Sequence, residues 1–335
     1  MRDFDGDRLI VGIDAGGTST RATLLTRDGQ CLGYGKSGSG NPTSAGMQLA
    51  GESIVDAMSL ALGAAGREIG EVDHVVAAMA GHGAGGDVRW LIDTLAVAGY
   101  DGALGFESDL LALYFSGTAE QKGYAIVSGT GAAVVRVSGG RLEATSDGVG
   151  WLLGDRGSGF WIGHHAALAA VEDLDGRGPA TALTEAVLDA LQVVPSDFSL
   201  GYGRPAKLEA LVRTIYLGRP VELARLAPLV FAAADADEIA RGILLRAGEL
   251  LAQTFASVHR GSGPVVVGGS VLAQEGLLSE IFRRLVLDRE PQARFIPVAD
   301  GVVGAAALAL RHAGVVVDGE GHARLTASVA AARAR

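Results

Sequence analysis

Two glycine-rich turns, each carrying a threonine, hold the residues in this chain that are best suited to chemistry. Their members are Gly16, Gly17, Thr18 and Ser19 in the first turn, and Gly129, Thr130 and Gly131 in the second. Glycine permits unusual backbone dihedrals and close approach, which leaves backbone N–H groups free to bind an anion. Because the threonine and serine hydroxyls add further donors, the pair of turns predicts a phosphate that is bound from two sides.

Asp14 lies at the end of the apolar run that precedes the first turn. A carboxylate beside a phosphate-binding turn is well placed to hold Mg²⁺, directly or through water. Gly-Gly-Thr and Gly-Thr-Gly also occur in ordinary hairpin turns, so neither turn by itself favours phosphate over simple turn formation. Their occurrence at the same place in two similar segments favours Mg-nucleotide chemistry.

The two turns belong to a repeated pattern, found at residues 9–35 and 124–145. Each copy has an apolar run, the glycine turn, a second apolar run, a tight turn and a third strand-like run. The pattern between the copies predicts helices over about 44–63 and 88–98, strands over 74–80 and 103–107, and a loop at 81–86. This alternation indicates an α/β fold with covered sheets.

The second copy begins at Lys122, so we expect a domain boundary near residues 117–123, with domains at 1–118 and 119–335. Later segments predict a helical region over 158–260, interrupted at 175–179 and 195–205, then strands at 264–268 and 294–298 and a helix at 301–311. Small residues in this last helix favour close packing. The tail after Gly314 is expected to be partly disordered.

Composition excludes several classes of protein. The chain has 335 residues, of which 48% are hydrophobic and 20% charged, which is typical of a compact globular protein. A net charge of −10 without a basic stripe argues against nucleic acid as a partner. No uncharged run reaches the roughly 18 residues of a membrane span, and the acidic start does not resemble a signal peptide. We therefore expect a soluble, cytoplasmic protein.

Cysteine usage also limits the chemistry. The single cysteine, Cys31, excludes an intramolecular disulfide and a cysteine-rich metal or iron–sulfur site within one chain. Its strand-like surroundings predict a small core residue. Trp151 and Trp161 are also expected in the core, and His164 and His165 are expected to pack or to lie on the surface.

Several motifs resemble the BadF/BadG/BcrA/BcrD-type group, which includes N-acetylglucosamine kinases, within the sugar kinase, Hsp70 and actin superfamily. They are GIDAGGTSTRATL, IVSGTGAAVV, PVVVGGSVL, DGRGPATAL and, most specifically, GVGWLLGDRGSGFWIGHH. The resemblance covers roughly residues 9–311. It implies a two-domain, actin-like and ribonuclease H-like fold with duplicated mixed sheets, and a cleft between the domains that binds ATP and Mg²⁺.

The resemblance also implies roles for individual residues. Asp109 corresponds to the catalytic base that takes the proton from a sugar 6-hydroxyl, although a helix cap is the local alternative. The positions that correspond to sugar ligands are Asn41, Asp109, Thr130, Gly148 and Asp155. For Asn41, ordinary turn chemistry before proline is the alternative. Gly268, Gly269 and Ser270 correspond to the adenosine contact.

The motifs leave the substrate open, because Ala132 and Ala133 stand where relatives often carry Ser and Asn. N-acetylglucosamine kinase is the leading hypothesis, with glucosamine or N-acetylmuramic acid kinase as alternatives. An ATPase activator would need cluster-ligand cysteines, and a non-catalytic nucleotide- or sugar-binding module would not need a base. Relatives are often dimers, so a homodimer is also open.

Overall fold

The computed structural model describes residues 9–80, 87–194 and 203–335. Its strands are β1 Leu9–Ala15, β2 Thr20–Leu25, β3 Cys31–Ser37, β4 Val72–Met79, β5 Ala103–Ser108, β6 Gly123–Ser128, β7 Ala132–Ser138, β8 Arg141–Asp147, β9 Pro264–Gly268 and β10 Arg294–Pro297. The α-helices are α1 Pro42–Ala45, α2 Met47–Ala64, α3 Arg89–Val97, α4 Asp109–Gly117, α5 Gly159–Leu174, α6 Leu183–Ala190, α7 Ala206–Leu217, α8 Ala227–Ala233, α9 Glu238–Val258, α10 Leu277–Leu287, α11 Val302–His312 and α12 Gly319–Arg333.

The strands form two five-stranded sheets with matching order, β3-β2-β1-β4-β5 and β10-β9-β6-β7-β8. In the first, β2 is antiparallel to β1 and β3, while β4 runs parallel to β1 and β5. In the second, β7 is antiparallel to β6 and β8, while β9 runs parallel to β6 and β10. The sheets thus repeat one topology, which confirms the predicted α/β fold with duplicated mixed sheets.

Helices α4 and α11 lie between the sheets, and their side chains share one core cluster with residues of β1, β4, β6, β7 and β9. Small residues allow this close packing. A Cβ atom on Gly12 of β1 would lie 2.7 Å from the backbone of α11, and one on Gly304 of α11 would lie 1.7 Å from the carbonyl oxygen of Ala112. Ser116 of α4 accepts a hydrogen bond from the Gly304 N–H (2.8 Å), which an N-terminal helix turn otherwise leaves unpaired.

Most predicted elements are present, with bounds shifted by a few residues. Cys31 is buried in β3, as expected. The predicted loop at 81–86 and part of the interruption at 195–205 lie outside the described residues. Within the described ranges, no helix is both long and apolar enough to cross a lipid bilayer.

The expectation of a partly disordered tail was wrong, because residues after Gly314 include helix α12, which packs on β3. Leu325, Val329 and Ala332 are its buried side chains. Their four- and three-residue spacing places them on one helical face. The tail looked unstructured because this face is narrow and the surface that covers it comes from a distant part of the chain.

The close approach of α11 and α4 predicts a specific sensitivity to side-chain size. We expect Gly304→Ala to lower the free energy of unfolding by about 3 kcal/mol, because the added methyl group overlaps the Ala112 carbonyl. Gly242→Ala in α9 is the matched control, since nothing lies within 4 Å of its Cβ position. The control should gain up to about 1 kcal/mol from helix propensity. Denaturant unfolding measures both, and equal stability of the two variants would contradict this packing.

Candidate active site

Two predicted carboxylates lie at one edge of the first sheet. Asp14 is the penultimate residue of β1, and Asp109 directly follows β5 as the first residue of α4. Because β1, β4 and β5 are parallel, their carboxyl ends meet at the same edge, where α/β proteins bind ligands. The Asp14 carboxylate accepts a hydrogen bond from the Gly301 N–H (3.1 Å) and lies 3.6 Å from Nη1 of Arg21.

Burial raises the pKa of Asp14 to about 7, and the negative charges of Asp300 and Asp109 contribute to the rise. The charge of Arg21 and the Gly301 N–H oppose the rise only in part. An acidic site of this kind favours a bound cation, because a cation stabilises the ionised carboxylate.

The donor set fits Mg²⁺. No cluster of three His, Cys, Asp or Glu side chains suited to a metal occurs in the part of the chain that the structure describes. Mg²⁺ commonly binds one or two protein carboxylates and completes its shell with water and substrate phosphates. Asp14 supplies one such carboxylate, whereas the nearby Asp300 is paired with Arg21, so the metal would depend on a bound phosphate.

Asp109 keeps one carboxylate oxygen available. Its Oδ1 accepts hydrogen bonds from the Leu110 N–H (2.9 Å) and the Ser108 hydroxyl (3.5 Å). Among the described residues, nothing donates a hydrogen bond to its Oδ2. Ser108 is the N-cap of α4. Asp109 therefore contributes to the cap of α4, but Ser108 also caps this helix. Burial raises the pKa of the Asp109 carboxyl.

The first glycine turn joins β1 to β2 and is largely open. The Gly16 N–H donates to the Ser19 carbonyl, and the Gly40 N–H donates to the Gly16 carbonyl, both at 3.1 Å. Within the described chain, the N–H groups of Gly17, Thr18 and Ser19 make no backbone hydrogen bond. Gly17 and Thr18 are exposed. Consecutive free N–H groups of this kind form an anion-binding concavity.

The second glycine turn occupies the equivalent position between β6 and β7. Its Gly129 and Thr130 carbonyls accept hydrogen bonds from the N–H groups of Gly159 (2.7 Å) and Phe160 (3.1 Å), at the start of α5. The N–H groups of Thr130 and Gly131 make no backbone hydrogen bond within the described chain. Again, free donors lie at the tip of a turn that the surrounding structure holds in place.

The predicted adenosine segment lies against the second turn. Gly269 has a φ of 89°, and a Cβ at this position would lie 2.3 Å from the Ser128 carbonyl oxygen. The Val271 N–H donates to the same carbonyl (2.9 Å). Glycine at 269 therefore allows segment 268–270 to approach the end of β6, with Ser270 exposed beside it.

Asp155 also joins the second turn, because its Oδ1 accepts a hydrogen bond from the Ala132 N–H (3.1 Å). Burial is the main cause that raises the pKa of Asp155, and the neighbouring Asp147 raises it further. Gly148, with a φ of 71°, lies close to Ala133. The structure thus brings Thr130, Gly148 and Asp155 into one region of the second sheet.

Asp147 organises the loop that carries Gly148 and Asp155. Its Oδ1 accepts from the N–H groups of Gly148 (2.8 Å) and Asp155 (2.6 Å), and its Oδ2 accepts from the Arg156 N–H (3.0 Å). It has a φ of 63°, a conformation that Asp tolerates better than most residues. Asp147 was not predicted from the sequence as a site residue.

Asn41 lies beside the first turn, next to Gly40. Its Oδ1 accepts a hydrogen bond from the Thr43 N–H (2.8 Å), and Asn41 is the N-cap of α1. The local turn chemistry considered as an alternative is therefore present. The amide NH₂ group remains available for a ligand, since no described residue accepts a hydrogen bond from it.

Asp300 is a further acidic residue that sequence reasoning missed. It lies between β10 and α11, and Nε of Arg21 is 3.2 Å from its Oδ2. Asp300 lies between the parallel strand β10 and helix α11, and this position after a strand is a sequence signal that could have identified it as a site residue. Its relation to Asp14 depends on residues almost 300 positions apart, so no local pattern revealed it.

The expectation that Trp151 is a core residue was wrong. Its side chain is 40% exposed, and with Phe160 and Tyr216 it lines an apolar cavity of about 730 Å³. The neighbouring Leu152 and Leu153 are exposed as well. These residues follow an exposed loop in which Gly148 and Gly150 have positive φ (71° and 86°).

Trp161 and the two histidines pack as expected. Trp161 is partly buried against the core cluster of the second sheet. His165 stacks on Trp161 (3.7 Å between ring centroids), and His164 stacks on Phe160 (5.6 Å). Burial lowers the pKa of both histidines. These contacts assign the histidines to packing on α5.

Two sheets of matching topology, with a glycine-threonine turn after the equivalent strand of each, define an actin-like nucleotide-binding fold. A family model described as the BadF/BadG/BcrA/BcrD ATPase family matches residues 11–309. The chain belongs to this family.

Similar proteins include sugar kinases. An N-acetyl-D-glucosamine kinase of Dictyostelium discoideum is 27% identical over 323 residues, covering 90% of this chain and 98% of the relative. An N-acetylmuramic acid/N-acetylglucosamine kinase of Clostridium acetobutylicum is 27% identical over 195 residues, covering 58% and 64%. The solved structure of a candidate N-acetylglucosamine kinase from Chromobacterium violaceum has a TM-score of 0.69 and 25% identity, covering 90% of this chain and 99% of that one.

The hydrogen bonds of Asp147 predict that it holds the loop in place. We expect Asp147→Ala to lower the free energy of unfolding by about 2 kcal/mol and to speed hydrogen exchange at the amides of Asp155 and Arg156. Asp147→Asn is the matched control, because it tolerates the same backbone conformation and keeps one acceptor oxygen. Exchange measured by mass spectrometry or NMR should therefore rank wild type, Asn and Ala from slowest to fastest. Wild-type exchange in the Ala variant would refute the role.

Proposed function

We propose that this protein is an ATP-dependent kinase that phosphorylates the 6-hydroxyl of N-acetylglucosamine or a close amino sugar. The observation that carries the proposal is the position of Asp109, at the same sheet edge as Asp14 and with an Oδ2 to which no described residue donates a hydrogen bond. Relatives that bear kinase names and match most of this chain support the choice of reaction.

Asp109 would accept the proton of the sugar hydroxyl as the oxygen attacks the γ-phosphate. Burial raises the pKa of its carboxyl above the ordinary range of aspartate, which makes it a stronger base. Phosphoryl transfer requires mainly alignment and charge neutralisation, so the orientation of the carboxylate matters as much as its basicity. The hydrogen bonds from Leu110 and Ser108 to Oδ1 supply that orientation.

The sugar would bind between Asp109 and the second-turn region. Asp155 has a carboxylate that can accept hydrogen bonds from adjacent sugar hydroxyls, and Asn41 has an unused amide NH₂ group. Thr130 can contribute its hydroxyl, and Gly148 allows the close approach of a ligand to the loop that Asp147 holds. Closure of the cleft around the sugar would exclude water from the site, and this would limit wasteful ATP hydrolysis.

ATP would place its phosphates between the two glycine turns. The free N–H groups of both turns and the hydroxyls of Thr18, Ser19 and Thr130 are the donors. Segment 268–270 would lie against the adenosine. Asp14 would hold Mg²⁺, which when bound supplies charge neutralisation at the phosphates.

The proposal extends to organisation and location. We place the boundary between the domains at residues 118 and 119, since the first sheet ends at Ser108 and the second begins at Gly123. A cytoplasmic location and a homodimer are also part of it, with a small-molecule sugar as the partner and neither nucleic acid nor membrane.

Release of ADP from Mg-ATP tests the proposed function. The assay would compare N-acetylglucosamine, glucosamine, N-acetylmuramic acid and glucose with a control that contains no sugar. Strong stimulation by N-acetylglucosamine is the expected result, and phosphorus NMR of the product would identify a 6-phosphate. Preference for another amino sugar would favour the glucosamine or N-acetylmuramic acid alternative. Hydrolysis without sugar would favour an ATPase, and no turnover would favour a binding module.

Asp109→Asn separates the base from the cap. The amide oxygen can still accept from the Leu110 N–H, so we expect a folded protein with near-normal sugar affinity. Turnover should fall by at least about 100-fold, because the amide cannot take a proton. Ser108→Ala is the comparison variant, since it removes the N-cap and the long hydrogen bond to Oδ1 and should cost about 1 kcal/mol of stability. Because the Leu110 N–H still orients Oδ1 and the base is kept, its loss of turnover should be smaller than that of Asp109→Asn.

The same assignment gives a pH dependence. In the wild type, kcat/KM should fall as the pH decreases through the raised pKa of Asp109, because protonation removes the base. Measured for the sugar at saturating Mg-ATP, where the bound cation would keep Asp14 ionised, the acid limb should therefore lie above the ordinary pKa of aspartate and be absent from the residual activity of Asp109→Asn. Near-normal turnover in this variant would overturn the assignment.

A further inference from the structure

The C-terminal helix reaches the acidic edge of the first sheet through Arg333. Nη2 of Arg333 donates to both oxygens of Asp300, at 3.0 Å to Oδ1 and 2.9 Å to Oδ2. The Asp300 side chain is only 11% exposed, and the Arg333 side chain is 38% exposed. This pair is therefore better shielded from water than an ordinary surface ion pair.

Asp300 links Arg333 to the candidate metal ligand. Its Oδ2 lies 3.2 Å from Nε of Arg21, and Nη1 of the same guanidinium lies 3.6 Å from Asp14. The Val302 N–H also donates to Oδ1 of Asp300 (3.2 Å). Four side chains thus form a continuous row of alternating charge, from the C-terminal helix to the end of β1.

Helix α12 holds Arg333 in a defined place. The Ser328 hydroxyl accepts a hydrogen bond from the Cys31 N–H (2.7 Å), and a ring nitrogen of His322 lies 2.7 Å from the Phe115 carbonyl oxygen. The Arg333 guanidinium carbon lies 5.2 Å from the centre of the Tyr34 ring. The guanidinium is therefore oriented by the helix and by the aromatic ring, in addition to its carboxylate partner.

We propose that Arg333 is a positioning residue for the Mg-nucleotide site, acting through Asp300 and Arg21 on Asp14. This inference rests on the proposed function only in taking the glycine turns and Asp14 as the nucleotide-phosphate site. Arg333 neutralises Asp300, so that Arg21 does not have to balance two carboxylates alone. Without it, the edge that receives the phosphates carries additional uncompensated negative charge, and Asp300 draws Arg21 away from Asp14.

Nucleotide binding without sugar tests this role directly. Titration calorimetry with Mg-ADP would compare wild type and Arg333→Gln, and we expect about tenfold weaker binding in the variant, as for other residues that orient a metal ligand. The matched control is Arg324→Gln on the same helix, because in the described part of the chain the ion pair of Arg324 is with the exposed Glu320 (3.8 Å), away from Asp300. The control should bind Mg-ADP like the wild type. Equal affinity in Arg333→Gln and wild type would overturn the proposal.

Two further measurements separate positioning from general support of the fold. In steady-state assays, Arg333→Gln should raise the KM for Mg-ATP while the KM for the sugar stays unchanged. Arg333→Lys should restore part of the Mg-ADP affinity, because it returns the charge without the guanidinium geometry. If both KM values rise equally and the thermal midpoint drops, α12 has only a structural role and the proposal fails. Absence of sugar-dependent turnover in the wild type would instead refute the kinase function and leave the calorimetric result interpretable.

Discussion

The close contact of α11 with β1 and α4 is the constraint on which the rest of the structure depends. At Gly12 and Gly304 the absence of a side chain allows backbones to approach to distances that any Cβ atom would prevent. This approach brings the N-terminal end of α11 to the end of β1, where the Gly301 N–H meets Asp14. A helix from the second half of the chain thereby completes a site that begins in the first. The acidic edge exists only because two distant segments pack without intervening side chains.

Three carboxylates lie close together at that edge of the sheet, and their mutual repulsion and partial burial are unfavourable for folding. Asp14 is buried with Asp300 and Asp109 close enough to raise its pKa, and Arg21 offsets only part of this effect. Such an arrangement costs folding free energy, because ionised carboxylates lose hydration. In sites that bind a cation and a polyanion together, this unfavourable contribution to folding is commonly offset by the free energy of ligand binding. The unfavourable charge therefore points to ligand binding more strongly than to stability.

Local sequence patterns predicted much of the fold and part of the site. The duplicated strand pattern and the turns at Thr18 and Thr130 depend on neighbouring residues, and the structure contains both at equivalent positions. Asp14 was identifiable because it ends an apolar strand next to a glycine turn.

Other features depend on contacts between distant segments. Asp300 gains its place through Arg21, and α12 is ordered by a surface on β3 that its own sequence does not reveal. Trp151 was expected in the core, whereas it is exposed together with its neighbours Leu152 and Leu153. The local sequence pattern therefore predicted the strands and turns. Which charged residues lie together, and which apolar residues are exposed, could be seen only in the three-dimensional structure.

The two glycine turns are duplicates in topology but differ in how they are braced. In the second turn, the carbonyls of Gly129 and Thr130 accept hydrogen bonds from α5, whereas among the described residues the first turn receives from outside itself only the hydrogen bond from Gly40. By these described contacts, folding restrains the second turn more than the first, so ordering the first turn would cost more conformational entropy when a ligand binds. The second turn is thus the more preorganised phosphate-binding loop, and the first is the one that would adjust more to a ligand. Substitutions near the first turn would consequently alter dissociation rates more than the geometry of the bound state.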